Sequence, residues 1–400
     1  MQAWSALLAE GRGKVLAFCW LGWVFDFYDL ILFAFVKVAV GAELGLSLEV
    51  DLAWIDGWTL LATAVGGFGL GRMADRIGRR VAMATGILLF SLGAFATGFA
   101  DGFWTLLAAR VLTGIGVGAE WGIAHAVVAE TYPDHQRARA ASVLQAGAPV
   151  AMALAAVVGC FLGPVIGWRA CFLLSALPAL LAAFARVMLP ASVDAPRTRP
   201  RLPWRTLVAG RYARATRALL LLLVLHMTGF WCTYAWLPAK LLREHGLTPA
   251  DVGWFQLQIN AVHVVADLSF GPLAERFGRR RTFVALCLVF AGGLAALASA
   301  FPLLASDWRL FTVALAAVGV GAGTWSIFGV LFAECYPSAI RATAASGLYN
   351  LARGAQLFTQ PLLGTLALWT GTLGVGLWIG AATALASVFA LRLVPRGSEG

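Results

Sequence analysis

The stretch of this chain with the most unusual chemistry is WVFDFYDLILFAFV, residues 23–36, an apolar run that carries two carboxylates. Asp26 and Asp29 lie three residues apart and therefore fall on the same side of a helix. A charge at the centre of a membrane helix costs about 2.5–3.5 kcal/mol, and two neighbouring carboxylates also disfavour each other's charge. The pair predicts a site that binds and releases protons; the alternative is that one aspartate caps or pairs locally.

Three further ionisable residues fall in the apolar stretch that begins near residue 104. Glu120 lies near its middle and is the second candidate for carrying a proton. His125 follows it, and we expect this ring either to relay protons or to pack as a hydrogen-bonded residue. Arg110 precedes both and is expected to form an ion pair with Asp26, Asp29 or Glu120.

A different chemistry is indicated by the segment GLYNLARGAQLFTQ, residues 347–360. Arg353 follows Arg341 by twelve residues, which places it about 18 Å along a helix, near the middle of a membrane. Asn350 and Gln356 lie near the same helical stripe. An arginine among amides suits a carboxylate, which its planar fork can hold with two hydrogen bonds. The alternative is an arginine that pairs with an acid to stabilise packing.

Aromatic and histidine side chains complete the set of candidate binding residues. Trp231 and Tyr234 are expected to line a cavity for a small organic acid, since their rings are apolar and their tips are polar. His226 falls in the same apolar stretch. His263 shares a helix face with Asp267 at the i, i+4 spacing, which predicts either a second proton relay or a structural pair.

The elements that position these residues are predicted to be membrane helices. The chain has 400 residues, of which 60% are hydrophobic and 12% charged, and its mean hydropathy is +0.81. Apolar stretches of about 20 residues, the length that spans a bilayer, recur along the sequence. We place about twelve of them near 15–38, 52–72, 81–100, 104–129, 139–163, 169–189, 218–240, 252–273, 282–301, 309–333, 342–367 and 373–392. The predicted fold is an all-α integral membrane protein.

The net charge of +10 is concentrated in alternate loops. Basic residues crowd positions 72–80, 137–139, 197–217 and 276–281, whereas the intervening loops hold few. The positive-inside rule therefore predicts an inner (plasma) membrane protein with both termini and the basic loops in the cytoplasm. Nucleic acid is not an expected partner, because the topology already accounts for the basic residues.

Two sequence segments occur twice, in the same order. GRMADRIGRR at 71–80 recurs as GPLAERFGRR at 271–280, and AETYPDHQRARAAS at 129–142 recurs as AECYPSAIRATAAS at 333–346. The duplication predicts two pseudo-symmetric six-helix bundles, at 1–189 and 218–392. A basic cytoplasmic linker at 190–217 joins them. Residues 393–400 contain LVPRGS and resemble a thrombin cleavage site left from protein expression.

The repeated charges are expected to serve mechanics shared by both halves. They lie at cytoplasmic helix ends, where acids and arginines form networks that gate the inward opening; the alternative is that topology alone keeps the arginines there. The predicted gate comprises Asp75, Arg76, Arg79, Arg80, Glu130 and Arg137 in the first half, and Glu275, Arg276, Arg279, Arg280, Glu334 and Arg341 in the second.

At these residues the chain resembles the major facilitator superfamily. Both copies of the repeat match the superfamily's loop motif G-x-x-x-D-R-x-G-R-R, with Glu275 for Asp in the second copy. The segment RVLTGIGVGAEWG, residues 110–122, is similar to the superfamily's helix-4 pattern. The resemblance implies the major facilitator fold and a role for Arg110 in proton coupling.

Weaker similarities concern the cargo. DFYD at 26–29 is similar to the D-x-x-D of helix 1 in proton-coupled sialate and aromatic-acid carriers, and GLYNLARG at 347–354 resembles helix 11 of the sialate group, which includes lactate and pyruvate carriers. GCFLGPVIGW at 159–168 partly resembles a helix-5 signature of drug:proton antiporters. The identity and size of the cargo stay open at this point.

These features predict a proton-coupled symporter that imports a small organic carboxylate by alternating access. We expect a monomer in membrane lipid. No nucleotide loop, no cysteine–histidine metal spacing and no nucleophile elbow appears, so the sequence predicts neither an enzyme nor a cofactor or metal site. The alternatives are a proton-coupled exporter of drugs or metabolites and a sensor that transports nothing.

Overall fold

The computed structural model describes residues 11–118, 120–180, 189, 205–299 and 306–395. Within these ranges the chain is helical and contains no strand. The α-helices, in chain order, are α1 Arg12–Leu44, α2 Ala53–Ile77, α3 Arg79–Thr97, α4 Phe103–Val117, α5 Glu120–Thr131, α6 Asp134–Gln145, α7 Gly147–Ala156, α8 Gly163–Leu174, α9 Arg205–Val208, α10 Ala213–Arg243, α11 Pro249–Phe277, α12 Arg279–Ser299, α13 Trp308–Ala322, α14 Ile327–Cys335, α15 Ser338–Gly354, α16 Gln356–Thr370 and α17 Gly374–Leu393.

Several predicted spans are built from consecutive helices. The predicted span 104–129 consists of α4 and α5, and the predicted span 342–367 consists of parts of α15 and α16. The span predicted at 169–189 is helical to Leu174, turns at 175–178 and is helical again at 179–180, and residues 181–188 lie outside the described part of the chain. The predicted linker at 190–217 and the tag remnant at 393–400 are likewise only partly described.

The helices have the length and the surface that a bilayer requires. Seven runs of helix among the described residues are long and apolar enough to cross a membrane by length and composition. Large apolar side chains face outward, for example Leu92 at 56% exposure, Phe358 at 74% and Trp369 at 81%. Side chains of this kind are stable on the outside only where lipid covers them.

The duplicated loops adopt the same backbone conformation in both halves. Gly78 joins α2 to α3 with φ 105°, and Gly278 joins α11 to α12 with φ 88°. Positive φ values favour glycine, because a Cβ atom would clash with the backbone. The glycine in each copy of the motif is therefore needed for the turn.

A second, three-residue repeat follows the first long helix of each half, at the end opposite the 71–80 and 271–280 loops. Gly45 ends α1 with φ 65°, and the Ser47 hydroxyl accepts a hydrogen bond from the backbone N–H group of Asp51. Gly246 follows α10 with φ 63°, and the Thr248 hydroxyl caps α11. Gly-Leu-Ser and Gly-Leu-Thr thus stop one helix and start the next in both halves.

The two halves meet mainly at three places. α2 packs against α15 and α16, α11 packs against α7, and α1 packs against α10. Close approach depends on small residues: a Cβ atom on Gly354 of α15 would lie 2.9 Å from Ala64 of α2, and one on Gly253 of α11 would lie 2.9 Å from Cys160. We call the end that carries the 71–80 and 271–280 loops the basic end.

Candidate functional site

A narrow cavity lies between the two halves, where α1, α7 and α10 approach α11 and α15. In this conformation its volume is about 20 Å³, room for about one water molecule. Aromatic rings make up nearly half of its wall. The lining residues are Trp23, Phe27, Gln145, Ala148, Met152, Met227, Phe230, Trp231, His263, Asp267, Trp325, Tyr349 and Arg353.

Arg353 brings a positive charge to this cavity. The residue is 1% exposed, and its Nη2 group donates to the Tyr349 hydroxyl at 2.9 Å. The guanidinium also lies 4.8 Å from the centre of the Tyr349 ring. Its Nε–H group has no partner among the described residues. A buried guanidinium with an unused donor is able to bind an anion.

Asp26 lies on α1 between two residues of the cavity wall, Trp23 and Phe27. Its exposure is 0%, and neither carboxylate oxygen has a hydrogen-bond partner among the described residues. Arg353 and Glu120 are both within electrostatic range of it. Burial without a partner penalises the charged form, so this arrangement favours the protonated carboxyl group.

Asp29, one turn further along α1, has a different environment. Its Oδ2 atom accepts from Nη1 of Arg110 at 2.7 Å, and the two side chains are 0% and 1% exposed. The Arg110 guanidinium also lies 4.9 Å from the Phe33 ring and 5.5 Å from the Phe172 ring. Of the three acids offered as partners for Arg110, the structure pairs it with Asp29.

Glu120 at the start of α5 is a second buried acid without a partner in the described part of the chain. It is 1% exposed, and both of its carboxylate oxygens lack hydrogen bonds. Gly22 of α1 makes room for it, since a Cβ atom there would collide with the carboxylate. The sequence therefore places a glycine one turn before Asp26, directly opposite the second acid.

His125 lies near the contact between the halves. Its ring centre is 4.8 Å from that of Trp121, and Trp121 stacks at 4.3 Å on Tyr349 of the other half. The Nε1 group of Trp121 donates to the Gln145 side chain at 3.2 Å, so this cluster adjoins the cavity without making His125 part of its wall.

The candidate residues on α10 divide between the cavity and the packing around it. Trp231 lines the cavity, and its Nε1 group has no partner among the described residues. Tyr234 stacks on Phe230 at 4.5 Å, with its hydroxyl also unpartnered in that part of the chain. His226 lies behind the wall, where its Nε2 atom is 3.0 Å from the Thr324 hydroxyl.

His263 and Asp267 form a polar patch in the wall on α11. The Nε2 atom of His263 lies 3.4 Å from Oδ2 of Asp267, and Ser326 donates to Oδ1 of Asp267 at 3.1 Å. The spacing i, i+4 correctly predicted that these two side chains share a face.

The two amides predicted beside Arg353 do not line this cavity. Asn350 donates to the Ser346 carbonyl at 3.0 Å, and a Cβ atom on Gly67 of α2 would collide with its side chain. Gln356 donates to the Thr228 hydroxyl at 3.3 Å and accepts from Thr359 at 2.5 Å. In this conformation both amides are engaged in packing between helices.

At the basic end, the repeated charges form the same ion pair in each half. Arg79 pairs with Glu130, and Arg279 pairs with Glu334. Each pair lies within one half: the first ties the start of α3 to the end of α5, and the second ties the start of α12 to the end of α14. The repeat therefore encodes a contact inside each bundle.

The other predicted gate residues have individual surroundings. Arg280 donates to the carbonyls of Leu391 and Val394 at 3.0 and 2.9 Å, and Arg341 donates to the Tyr336 carbonyl at 3.2 Å. Arg76, Glu275 and Arg276 are exposed, and Arg80 is partly buried. The side chains of Asp75 and Arg137 lie outside the described residues.

Sequence inspection missed a buried lysine at the end opposite the basic one. Lys37 of α1 is 0% exposed, lies 3.2 Å from Asp56 of α2, and places its ammonium 4.7 Å from the centre of the Trp236 ring of α10. Trp236 in turn donates to Gln360 at 2.9 Å. The sequence feature that could have identified this residue is a lysine inside the predicted membrane span 15–38.

A second contact joins the halves at the same end. Arg243, at the end of α10, donates to Glu49 at 2.7 Å. Nearby, the Phe161 and Trp254 rings meet edge to face at 5.3 Å. These contacts, together with Lys37 and Trp236, hold the two halves together away from the basic end.

Known proteins with similar sequences are membrane transporters. A Bacillus subtilis protein with the name "Putative niacin/nicotinamide transporter NiaP" is 29% identical to this chain over 362 residues, which cover 88% of each chain. The 3-(3-hydroxy-phenyl)propionate transporter of Escherichia coli is 30% identical over 332 residues, which cover 82% of this chain and 80% of that one.

The fold also matches a solved structure. A crystal structure of a D-xylose-proton symporter superposes with a TM-score of 0.78 and 18% identity, covering 97% of this chain and 99% of the other. This similarity confirms the predicted architecture of twelve transmembrane helices in two pseudo-symmetric bundles.

The sequence matches the Major Facilitator Superfamily twice, over residues 19–239 and over residues 219–400. With the relatives and the fold, this match shows a transporter and not an enzyme. The chain belongs to the Major Facilitator Superfamily.

Proposed function

We propose that this transporter is a proton-coupled symporter that imports a small aromatic carboxylate across the plasma membrane. The observation that carries the proposal is the pair of buried groups at one cavity. Arg353 has an unused donor in the wall, and Asp26 beside that wall has no partner in the described residues. A cation for the substrate and an acid for the proton are thus close together.

The aromatic wall favours an aromatic cargo. Trp23, Phe27 and Trp231 belong to a lining that also contains Phe230, Trp325 and Tyr349. Flat apolar rings interact well with another ring, while Arg353 would hold its carboxylate. The relatives support this choice, since one is named for niacin or nicotinamide and the other for a hydroxyphenyl propionate.

Proton coupling is assigned first to Asp26. A proton from outside neutralises its carboxyl group, so that an anionic substrate does not meet a fixed negative charge. Asp29 is held by Arg110 at 2.7 Å within the first half, and we therefore place it after Asp26 as a proton candidate. Glu120 and His125 are the remaining proton candidates, and both lie on α5 next to this site.

Transport proceeds by rocking of the two halves about the cavity. The basic end faces the cytoplasm with both termini, by the positive-inside rule, and each of its ion pairs, at Arg79 and at Arg279, holds its own half together while that side opens. The contacts of Lys37 and Arg243 close the outer side. We expect a monomer, because each chain holds a complete site.

The proposal is tested by uptake of radiolabelled benzoate and nicotinate into proteoliposomes. We expect accumulation above equilibrium when the outside is made acidic, and none with a proton ionophore. Arg353→Lys should lower kcat/KM at least about 30-fold, because a buried charge pair contributes 2 kcal/mol or more and lysine lacks the planar fork. Arg392→Lys, at an exposed arginine, is the matched control.

Two results would contradict the proposal. Efflux of organic cations driven by the same gradient, without uptake of any carboxylate, would establish the alternative of an exporter working by antiport. Unchanged carboxylate uptake in Arg353→Lys would remove the anion site from α15.

A further inference from the structure

The cavity has polar groups at two separate places. Arg353 lies on α15, which packs with α16 against α2, whereas His263 and Asp267 lie on α11, which packs against α7. These are two different sides of the contact between the halves. The two polar groups therefore approach from opposite walls a cavity that is also lined by aromatic rings.

The two groups also lie at different depths. Arg353 is fifteen residues from the first residue of α15 at the basic end, about 22 Å along the helix. Asp267 is ten residues from the last residue of α11 at that end, about 15 Å. The separation along the bundle axis is thus roughly 7 Å, in addition to the width of the cavity.

The group on α11 has hydrogen-bonding capacity to spare. Asp267 receives one hydrogen bond, from Ser326 at 3.1 Å. His263 is 2% exposed; its ring interacts with the Ala322 backbone and its Nε2 atom lies 3.4 Å from Asp267, which leaves the carboxylate of Asp267 as the group with the larger unused capacity. Buried polar atoms are normally satisfied, so unsatisfied ones in a cavity wall indicate a partner that arrives with a ligand.

We propose that His263 and Asp267 bind a hydrogen-bond donor at the far end of the substrate, such as a ring hydroxyl group. The transported acid would then carry two polar ends: a carboxylate on Arg353 and a donor on Asp267, with its ring between the aromatic side chains. This inference rests on the proposed function, and it narrows the cargo from aromatic carboxylates in general to hydroxylated ones.

The unused hydrogen-bonding capacity of this site should make the protein select hydroxylated acids over analogues without the hydroxyl group. When a site built for a hydroxyl group receives an analogue without one, its buried polar atoms lose their water and gain no partner. A methyl group of similar size offers no hydrogen bond. Discrimination between the two ligands therefore reports on the polar group at the far end and not on the carboxylate.

The test compares uptake of 3-hydroxybenzoate and 3-methylbenzoate by the full-length protein in proteoliposomes. We expect kcat/KM to favour the hydroxylated acid at least about 10-fold in the wild type. Asp267→Leu, which keeps the branched shape and removes the polarity, should bring this ratio close to one, whereas Asp267→Asn should keep most of it. Ser269→Ala, on the same helix, is the matched control and should leave the ratio unchanged.

Different failures have different meanings. Absence of carboxylate uptake in the wild type would overturn the proposed function itself. Uptake of both acids with equal kcat/KM in the wild type would overturn only the second polar site, and this result does not depend on whether a variant folds. A wild-type preference that persists in Asp267→Leu, together with loss of proton-driven accumulation, would identify Asp267 as a proton-carrying residue and overturn the assignment to the substrate.

Discussion

The two halves of the molecule share one helix plan and differ in the groups buried inside it. The first half buries three acids, Asp26, Asp29 and Glu120, together with Lys37, Arg79 and Arg110. The second half buries Arg353 together with histidines and an aromatic cluster around Trp325. Position 110 has Ala314 as its counterpart, and Glu120 has Thr324.

This difference separates the tasks that we assign to each half. What is duplicated is structural: the turn glycines Gly78 and Gly278 and the ion pairs at Arg79 and Arg279. The charged residues of the candidate site that occur in only one half are buried. They have no partner among the described residues, or they pair with a residue that has no counterpart in the other half. We therefore assign proton chemistry to the first half and recognition of the substrate carboxylate to the second.

The predictions are ranked by their effect on the apparent free energy of unfolding. The largest belongs to the buried pair of Asp29 and Arg110. Arg110→Leu should destabilise the protein by about 3–5 kcal/mol, because it leaves a buried carboxylate without its partner. Unfolding by SDS in mixed micelles would measure it. Glu43→Gln is the control, since it alters a pair whose members are 35% and 50% exposed.

The double variant Asp29→Asn/Arg110→Leu sharpens this test. Removing both charges should restore most of the lost stability, because no buried charge is left alone. A double variant that is as unstable as Arg110→Leu would show that the arginine acts through its packing on Phe33 and Phe172.

An intermediate effect is expected at Gly22. Gly22→Ala places a methyl group against the carboxylate of Glu120 and should cost about 1–3 kcal/mol by overpacking. Adding Glu120→Ala should relieve it. Gly69→Ala on α2, where a Cβ atom meets nothing within 4 Å, is the control. Equal melting temperatures for the two glycine variants would contradict the close approach.

A smaller effect should distinguish the two copies of the ion pair at the basic end. In the first half the arginine and glutamate are 7% and 42% exposed, and in the second 52% and 22%. Arg279→Gln should therefore cost at most about 1 kcal/mol, as exposed pairs do, and Arg79→Gln should cost more. Thermal unfolding of the two purified variants compares them directly. The reverse order would show that burial does not set the difference.

The smallest effect on stability should come from Asp26→Asn, although its effect on transport should be large. If the carboxyl group is protonated in this conformation, asparagine replaces it with similar size and charge, so melting should change little. Exchange of substrate across the membrane should survive while proton-driven accumulation is lost. Counterflow and gradient-driven uptake in the same proteoliposomes separate the two, and retained accumulation would exclude Asp26 as the coupling residue.

The sequence predicted the architecture well and the contacts only in part. The repeat at 71–80 and 271–280 sufficed to identify the bundles, because it marks the same turn twice. The i, i+4 spacing also predicted the contact of His263 with Asp267. Which acid pairs with Arg110 could not be predicted, since three acids on two helices were equally plausible partners and only tertiary packing selects Asp29.

The amides beside Arg353 illustrate the same limit. Helical periodicity put Asn350 and Gln356 near one stripe, yet neighbouring helices decide which part of a stripe meets a cavity and which part meets another helix. Asn350 faces Gly67 of α2, and Gln356 faces Thr228 of α10. Lys37 was overlooked because its partner Asp56 follows on a separate helix.

Lys37 also affects the free energy needed to separate the halves at the end opposite the basic one. Its bond to Asp56 stays within the first half, whereas its contact with the Trp236 ring crosses to the second. When the ring withdraws, water reaches a buried ammonium group, and the hydration of that ion offsets part of the lost packing. An apolar contact of the same area would gain no such hydration, so the buried lysine lowers the free energy needed to open the molecule at that end.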